Sequence, residues 1–265
     1  MLVTTWRWRW WCKLAEEHGD ADLMARSLEE LRHILEWFSV HSEDGRTQRF
    51  VLIGGWAVYS YNPWSRSIDI DLVMNQRTKR GLVHHLRVDR GYVRTGPEDL
   101  AGRGLERVTP VGAIKLDTVS FESALHFEGM ADKLELAFLK TEVVTRKVED
   151  LSVPAPSRSM LLVMKLKAAW DRQWRVDNGT SPDPEWERTK ALKDLADVLA
   201  LVDPARGGTE LDVDVIGVQL GDHPVLRTVL ERIESEPLAA IRYGIAQGLA
   251  TSMTGRLLTL TRDRF

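Results

Sequence analysis

The sequence is poor in cysteine, in net charge and in long apolar runs, and each shortage excludes a class of protein. Cys12 is the single cysteine among 265 residues, so neither an intramolecular disulfide nor a cysteine zinc cluster can form, which favours a reducing cytoplasm. The 36 basic and 39 acidic residues give a net charge of −3, which shows no overall bias toward nucleic acid but is compatible with a local basic patch. No segment approaches the ~20 apolar residues of a membrane span, so we expect a cytoplasmic protein without a membrane partner.

Apolar periodicity divides the chain into an α/β part and a helical part. Short runs rich in branched residues predict strands at 50–53, 67–74 and 113–121. Helical periodicity is found at 13–41, 76–88, 157–174, about 184–202 and 223–262. Residues 131–140 fit a strand and a helix equally well. We therefore predict the α/β (α+β) class, with a mixed sheet and flanking helices followed by a helical C-terminal half.

The same pattern suggests where domains and helices begin. The Pro-containing segment 151–157 is interpreted as a connector, which gives an N-terminal helical extension at 1–45, a catalytic domain at 46–150 and a helical domain at 151–265. Ser157 is the expected N-cap of the first helix after the connector. Asp183 followed by Pro184 fits the N-cap and first residue of a second helix.

Two carboxylates in an apolar strand are the first sign of chemistry. Asp69 and Asp71 lie two apart in the predicted strand 67–74, so their side chains project from one face, about 7 Å apart along the chain. Carboxylate oxygens suit Mg²⁺, and two such ions ~3.5–4 Å apart can activate a hydroxyl and stabilise a leaving pyrophosphate. Asp117, inside the predicted strand 113–121, is the best candidate for a third carboxylate, and Asp132 is a weaker one.

A glycine pair upstream of these carboxylates fits a phosphate site. Gly54 and Gly55 follow the apolar run 50–53 and precede a short helical pattern. Because glycine has no side chain, its backbone N–H groups can approach a phosphate, and a helix N-terminus adds a partial positive charge. Arg66, three residues before Asp69, could bind the same anion through two hydrogen bonds.

Taken together, "GGWAV" at 54–58 and "RSIDIDLV" at 66–73 resemble the polymerase-β-like nucleotidyltransferase superfamily, in the form found in its AbiEii/MenT toxin-type branch. Two later segments resemble helices of that branch: "LLVMKLKAAWDR" at 161–172 and "KDLADVLAL" at 193–201. The resemblance covers about residues 50–202 and is a motif match. Ser67 replaces the usual Thr, and Gly55 replaces the Ser of many toxin members.

The resemblance implies a role for each matched residue. Asp69 and Asp71 would bind two Mg²⁺ ions, and Asp117 would be a third metal ligand or the base. Gly54, Gly55 and Arg66 would hold phosphates of the NTP substrate. Lys165 would contact the triphosphate, and Asp194 would position Lys165 or the base and sugar. The implied enzyme is a nucleotidyltransferase that transfers NMP to an RNA (tRNA) or protein acceptor, as the toxin of a toxin–antitoxin pair with a cognate antitoxin as partner.

Other interpretations stay open from the sequence. "GGWAV" followed by Asp-x-Asp also resembles aminoglycoside and lincosamide nucleotidyltransferases, which modify a cationic drug. A catalytically silent nucleotidyltransferase-like domain could serve as a binding module. Asp69 and Asp71 could also be a solvated strand edge, and Lys193 with Asp197 is an i,i+4 pair that supports a helix without any catalytic role.

Overall fold

The computed structural model describes residues 4–41, 50–95 and 104–262, with side chains from residue 21 onward. It confirms the predicted class: a mixed α/β part built on a five-stranded sheet, and a C-terminal half that is helical. The chain forms two compact units, one of Met1–Trp56 with Arg66–Phe121 and one of Ala57–Ser65 with Glu122–Phe265. Division into domains at residues 45 and 150 stays a prediction.

The first unit is organised around the sheet. Its strands are β1 (Phe50–Ile53), β2 (Ile70–Met74), β3 (Val93–Arg94), β4 (Gly104–Thr109) and β5 (Gly112–Ser120). Their order in the sheet is β1-β2-β5-β4-β3, and β2 runs parallel to β5 while the other pairings are antiparallel. This arrangement makes β2 and β5 neighbours near the middle of the sheet, although they are far apart in sequence.

Helices α1 (Thr4–Val40), α2 (Gly54–Tyr61) and α3 (Gln76–Asp89) accompany these strands, and α1 and α3 pack on β5. Strand β2 is apolar where it meets the core: Ile70, Leu72 and Val73 are fully buried. The N-cap of α3 is Asn75, whose side chain accepts a hydrogen bond from Thr78 N at 2.8 Å. The predicted helix at 76–88 is therefore confirmed.

The second unit contains two small hairpins and a helical body. The hairpins are β6 (Ala124–His126) with β7 (Lys133–Glu135), and β8 (Val143–Val148) with β9 (Leu151–Pro156). The helices are α4 (Arg158–Asp177), α5 (Pro184–Val202), α6 (Val213–Asp222), α7 (Val225–Ile233), α8 (Pro237–Tyr243) and α9 (Gln247–Arg262). Helices α4 and α5 pack along each other and bury most of the apolar residues of both.

Local sequence signals explain several boundaries in this unit. Ser157 is the N-cap of α4 and accepts a hydrogen bond from Met160 N at 3.3 Å, and Asp183 caps α5 in the same way, through Trp186 N at 3.1 Å. The connector interpretation of 151–157 is wrong, because residues 151–156 pair with β8 and form strand β9. Pro154 and Pro156 are tolerated there because a two-stranded sheet has only edge strands. The ambiguous segment 131–140 contains a strand at Lys133–Glu135 and a 3-10 helix at Ala137–Lys140.

Within the described part of the chain, no helix is long and apolar enough to cross a membrane.

Candidate functional site

Strand pairing places two of the predicted carboxylates beside each other. Asp71 in β2 and Asp117 in β5 are register partners in the parallel pair. Neighbouring strands lie about 4.8 Å apart, and paired residues project from the same face of a sheet, so the two carboxylates share a small region. Asp71 is half-buried and Asp117 is exposed.

Asp69 lies directly ahead of β2 rather than inside it, since the strand begins at Ile70. The backbone at this point is fixed by Ser67, which is buried and donates a hydrogen bond from its hydroxyl to Asp69 O at 3.0 Å. The expectation that Asp69 lies within the strand is therefore wrong by one residue. Its separation of two residues from Asp71 is unchanged.

A glycine lies against each of the two paired carboxylates. In the antiparallel pair β1–β2, Ile53 is the partner of Asp71, and Gly54 follows with a φ of +69°. A Cβ at Gly54 would overlap Asp71 Oδ2 and lie 2.6 Å from its Cγ. On the other side, Gly104 of β4 is the partner of Asp117, and a Cβ there would lie 2.6 Å from Thr95 Oγ1 and 3.3 Å from Asp117 Oδ1.

These glycines show how the sequence makes room for acid groups in the sheet. Any other residue at Gly54 would both adopt a strained backbone and displace the Asp71 carboxylate. Gly54 is thus required by its contact with Asp71, in addition to the phosphate role that the sequence predicts. Gly104 was missed by sequence reasoning, because nothing near it in the chain indicates that it pairs with Asp117.

The predicted phosphate-binding residues lie in the same unit as the carboxylates. Helix α2 begins at Gly54, so the backbone N–H groups of its first turn have no partner within the helix. The start of this helix is anchored to α1. Gly55 and Trp56 are buried, and Trp56 Nε1 donates a hydrogen bond to the hydroxyl of Ser27 at 3.0 Å. Arg66 is exposed, at the beginning of the segment that leads to Asp69.

The donor set fits Mg²⁺ only in part. Among the described residues, no group of three or more His, Cys, Asp or Glu side chains is placed to hold a metal ion. Asp69, Asp71 and Asp117 are therefore not arranged to bind one metal ion through all three carboxylates in this structure. Mg²⁺ is usually held by one or two carboxylates together with water and substrate phosphates, and the Asp71–Asp117 pair fits that kind of binding.

Lys165 and Asp194 lie in the second unit, where they form a buried ion pair. Lys165 Nζ is 2.8 Å from Asp194 Oδ1 and 2.7 Å from Asp197 Oδ2, and all three residues are buried. Burial lowers the pKa of Lys165, but the two carboxylates outweigh burial and raise it above its ordinary value. Burial likewise raises the pKa of Asp194, but Lys165 and Arg172 outweigh burial and lower that pKa to about 2. Both groups are therefore charged at neutral pH.

Arg172 extends this network. Its Nε donates to Asp194 Oδ2 at 2.8 Å and its Nη1 to Glu187 Oε1 at 3.0 Å. Lys165 and Arg172 lie seven residues apart, on one face of α4, and both meet α5 at Asp194. Lys165 and Asp194 are therefore in direct contact, and the positioning role of Asp194, toward Lys165 or toward the base and sugar, stays a prediction, as does contact of Lys165 with a triphosphate.

Sequence reasoning missed the role of Asp197. The i,i+4 pair of Lys193 and Asp197 is present, with Lys193 Nζ 3.0 Å from Asp197 Oδ2, but the same oxygen also contacts buried Lys165. Asp194 and Asp197 are three residues apart and therefore share a face of α5. That spacing was the available signal. The weaker carboxylate candidate, Asp132, is in this second unit and is paired with His223 Nδ1 at 2.5 Å.

No family model matches the chain, and no curated protein sequence matches it. The chain is similar to the crystal structure of an antigenic nucleotidyltransferase-like protein from Paracoccidioides brasiliensis, at 12% sequence identity and a TM-score of 0.42, over 84% of this chain and 93% of that chain.

Proposed function

We propose that the chain is a Mg²⁺-dependent nucleotidyltransferase that transfers NMP from an NTP to an RNA acceptor such as tRNA. The observation that carries the proposal is the in-register pair Asp71–Asp117, with Gly54 packed on Asp71 at the start of α2. Mg²⁺ is usually held by one or two carboxylates together with water and substrate phosphates, and this pair supplies two carboxylates. The motif "GGWAV" followed by "RSIDIDLV" supplies the reaction class.

In this reaction the acceptor hydroxyl oxygen forms a bond to the α-phosphorus of the NTP. The bond from the α-phosphorus to the oxygen bridging to the β-phosphate breaks, and pyrophosphate leaves. Mg²⁺, when bound, supplies positive charge that neutralises the phosphate oxygens and lowers the pKa of the attacking hydroxyl. Asp69 and Asp71 would bind the Mg²⁺ ion, and Asp117 accepts the proton of the acceptor hydroxyl.

Other residues of the first unit would bind the phosphates of the NTP. The backbone N–H groups of the first turn of α2, beginning at Gly54 and Gly55, donate to phosphate oxygens, which fits the partial positive charge of a helix N-terminus. Arg66 donates to the same group. In the second unit, Asp194 and Asp197 hold the charged side chain of Lys165 in one position.

A basic helix face in the first unit favours RNA over a protein or a drug as acceptor. Arg77, Arg80, His84 and Arg87 are exposed, and their spacing of three, four and three residues places them on one face of α3. From Arg77 to Arg87 this face is about 15 Å long. The single acidic residue of α3, Asp89, is paired with His85 at 2.7 Å. Such a stripe suits the phosphate backbone of RNA, whereas a cationic drug would be repelled.

The resemblance further supports a toxin role, with a cognate antitoxin as partner. On this proposal, induced expression arrests growth, and the Asp71→Ala variant does not. Growth arrest by Asp71→Ala at equal protein level would contradict a toxic transferase reaction.

Incubation with each α-³²P-labelled NTP, Mg²⁺ and total tRNA tests the reaction. We expect label in tRNA with the native chain, and none with Asp69→Ala or Asp71→Ala. Asp222→Ala is the matched control, because it removes an exposed carboxylate from the end of α6 and should keep full transfer. Label in protein instead of tRNA would overturn the RNA acceptor, and equal labelling by native chain and Asp71→Ala would overturn the site.

A second pair of variants tests the basic face separately. Replacing Arg80 and Arg87 by Gln should weaken tRNA binding and reduce the slope of log K against log salt by ~0.7 to ~0.9 per lost phosphate contact. Replacing the exposed Arg242 and Arg256 by Gln removes the same charge from the second unit and should leave the slope unchanged. An equal loss in both double variants would mean that only net charge matters.

A further inference from the structure

A small pocket lies between helices α4, α5 and α7 of the second unit and shares no residue with the proposed reaction. Its volume is about 240 Å³, below the ~300–1,000 Å³ typical of sites for drug-sized ligands, so its ligand is smaller than these. Trp170 is held in place by a hydrogen bond from its Nε1 to Glu128 O at 3.1 Å, so this wall is formed before a ligand binds. The apolar walls come from all three helices: Ala169, Trp170, Trp174, Ala191, Leu195 and Val229.

An arginine without an acidic partner lines this pocket. Arg232 is half-buried in the last turn of α7, and its guanidinium forms no hydrogen bond or ion pair with any other described residue. A guanidinium carries five N–H donors in a planar fork that matches the two oxygens of a carboxylate. Arg232 can therefore bind a carboxylate through two hydrogen bonds without breaking an existing contact.

A negative charge lines the same pocket, at the end of α4. Asp177 is the last residue of that helix, and within the described part of the chain it forms no ion pair, either with Arg232 or with another residue. Gln173 Nε2 donates to Asp177 Oδ1 at 2.6 Å, which leaves Oδ2 as an acceptor. The partial negative charge at the C-terminus of a helix adds to that of the carboxylate, so this part of the pocket favours a cation.

We propose that this pocket binds a free α-amino acid with an apolar side chain. An α-amino acid carries a carboxylate and an ammonium group on one carbon atom, so it supplies a partner for Arg232 and for Asp177 at once. Its carboxylate accepts hydrogen bonds from Arg232, and its ammonium group donates to Asp177. Its side chain packs on Trp170, Leu195 and Val229. Binding needs neither NTP nor Mg²⁺, so this proposal and the transferase proposal can fail separately.

Four probes separate the contributions of the two charges and of the apolar side chain. L-Leucine carries all three features, 4-methylpentanoate lacks the ammonium group, 3-methylbutylamine lacks the carboxylate, and glycine lacks the side chain. Titrated into the ¹⁵N-labelled full chain without NTP and followed by NMR, L-leucine should saturate at a Kd of about 1 mM or tighter and shift the amides of Trp174, Asp177 and Arg232. It should bind about tenfold or more tightly than each of the other three probes, because each of these leaves one part of the pocket without its partner. No saturation, shifts confined to other residues, or a smaller preference over any one probe would overturn the proposal.

Two arginines of α7 give a matched test. Arg232→Gln removes the proposed carboxylate partner, so it should weaken binding of L-leucine about tenfold or more, whereas binding of 3-methylbutylamine should not weaken. Arg227→Gln removes the same charge from the same helix, and because Arg227 is also half-buried but does not line the pocket, the affinity for L-leucine should stay unchanged. Asp177→Asn should have the converse effect of Arg232→Gln, weakening binding of L-leucine but not of 4-methylpentanoate. The same L-leucine affinity in Arg232→Gln and Arg227→Gln would contradict the site.

Discussion

Replacing Gly54 by Ala perturbs the carboxylate pair without removing any acid group. Two costs add at this position. An L-residue at a φ of +69° is strained by about 1–2 kcal/mol. The new Cβ would also overlap Asp71 Oδ2 and lie 2.6 Å from Cγ and 2.9 Å from Cβ of Asp71. Overpacking of this kind costs typically about 1–3 kcal/mol. We therefore expect Gly54→Ala to lower the free energy of unfolding by about 2–5 kcal/mol.

Gly91 provides the matched control for the backbone part of this cost. Its φ is +70°, nearly the same as that of Gly54, and a Cβ built there meets nothing within 4 Å. Gly91→Ala should therefore cost only the strain, about 1–2 kcal/mol. The difference between the two variants, about 1–3 kcal/mol, measures the clash with Asp71. Both are measured by urea unfolding followed by circular dichroism.

The clash can be tested directly by shortening its partner. In the Asp71→Ala background the carboxylate atoms are gone, so the cost of Gly54→Ala should fall toward that of Gly91→Ala. The Gly54→Ala variant should also lose nucleotide transfer, because the Asp71 carboxylate has to leave its position. Equal costs for Gly54→Ala and Gly91→Ala, with no relief in the Asp71→Ala background, would refute the close contact of Gly54 with Asp71.

Further predictions concern charge. Asp117→Asn should abolish transfer while leaving the far-ultraviolet circular dichroism spectrum unchanged, because it removes the proton acceptor and keeps the size of the side chain; retained transfer would contradict its role as the base. Lys165→Met should cost about 3–5 kcal/mol, since it leaves buried Asp194 and Asp197 without their common cation, whereas Lys193→Met should cost about 1 kcal/mol or less. Similar urea midpoints for these two variants would argue against the buried pair. The pKa of Asp194 is lowered to about 2, so the stability it contributes is present above its ordinary pKa of ~3.9 and is lost as the pH falls toward 2. Between pH 4 and pH 2 the native chain should therefore lose more stability than Asp194→Asn, and parallel curves would show that Asp194 does not titrate there.

Much of the local structure could be predicted because it depends on neighbours in the sequence. The helix starts after Ser157 and Asp183 follow from side chains that cap the backbone two or three residues onward. The strand at 70–74 follows from its alternation, but its predicted start at residue 67 is three residues early, because the ends of elements depend on tertiary contacts that the alternation does not show. The segment 151–157 was misinterpreted because its prolines suggest a break, whereas a two-stranded pairing tolerates them at an edge.

The sequence by itself determined which acid groups and glycines the site contains, since Gly54, Gly55, Asp69 and Asp71 are close together in the chain and their spacing is read directly. Only the tertiary structure decided that Asp117 is the register partner of Asp71 and that Gly104 is the register partner of Asp117. It likewise decided that Lys165 is shared between Asp194 and Asp197. The physical reason is that sheet register and helix packing depend on burial summed over whole elements, which no short stretch of sequence contains.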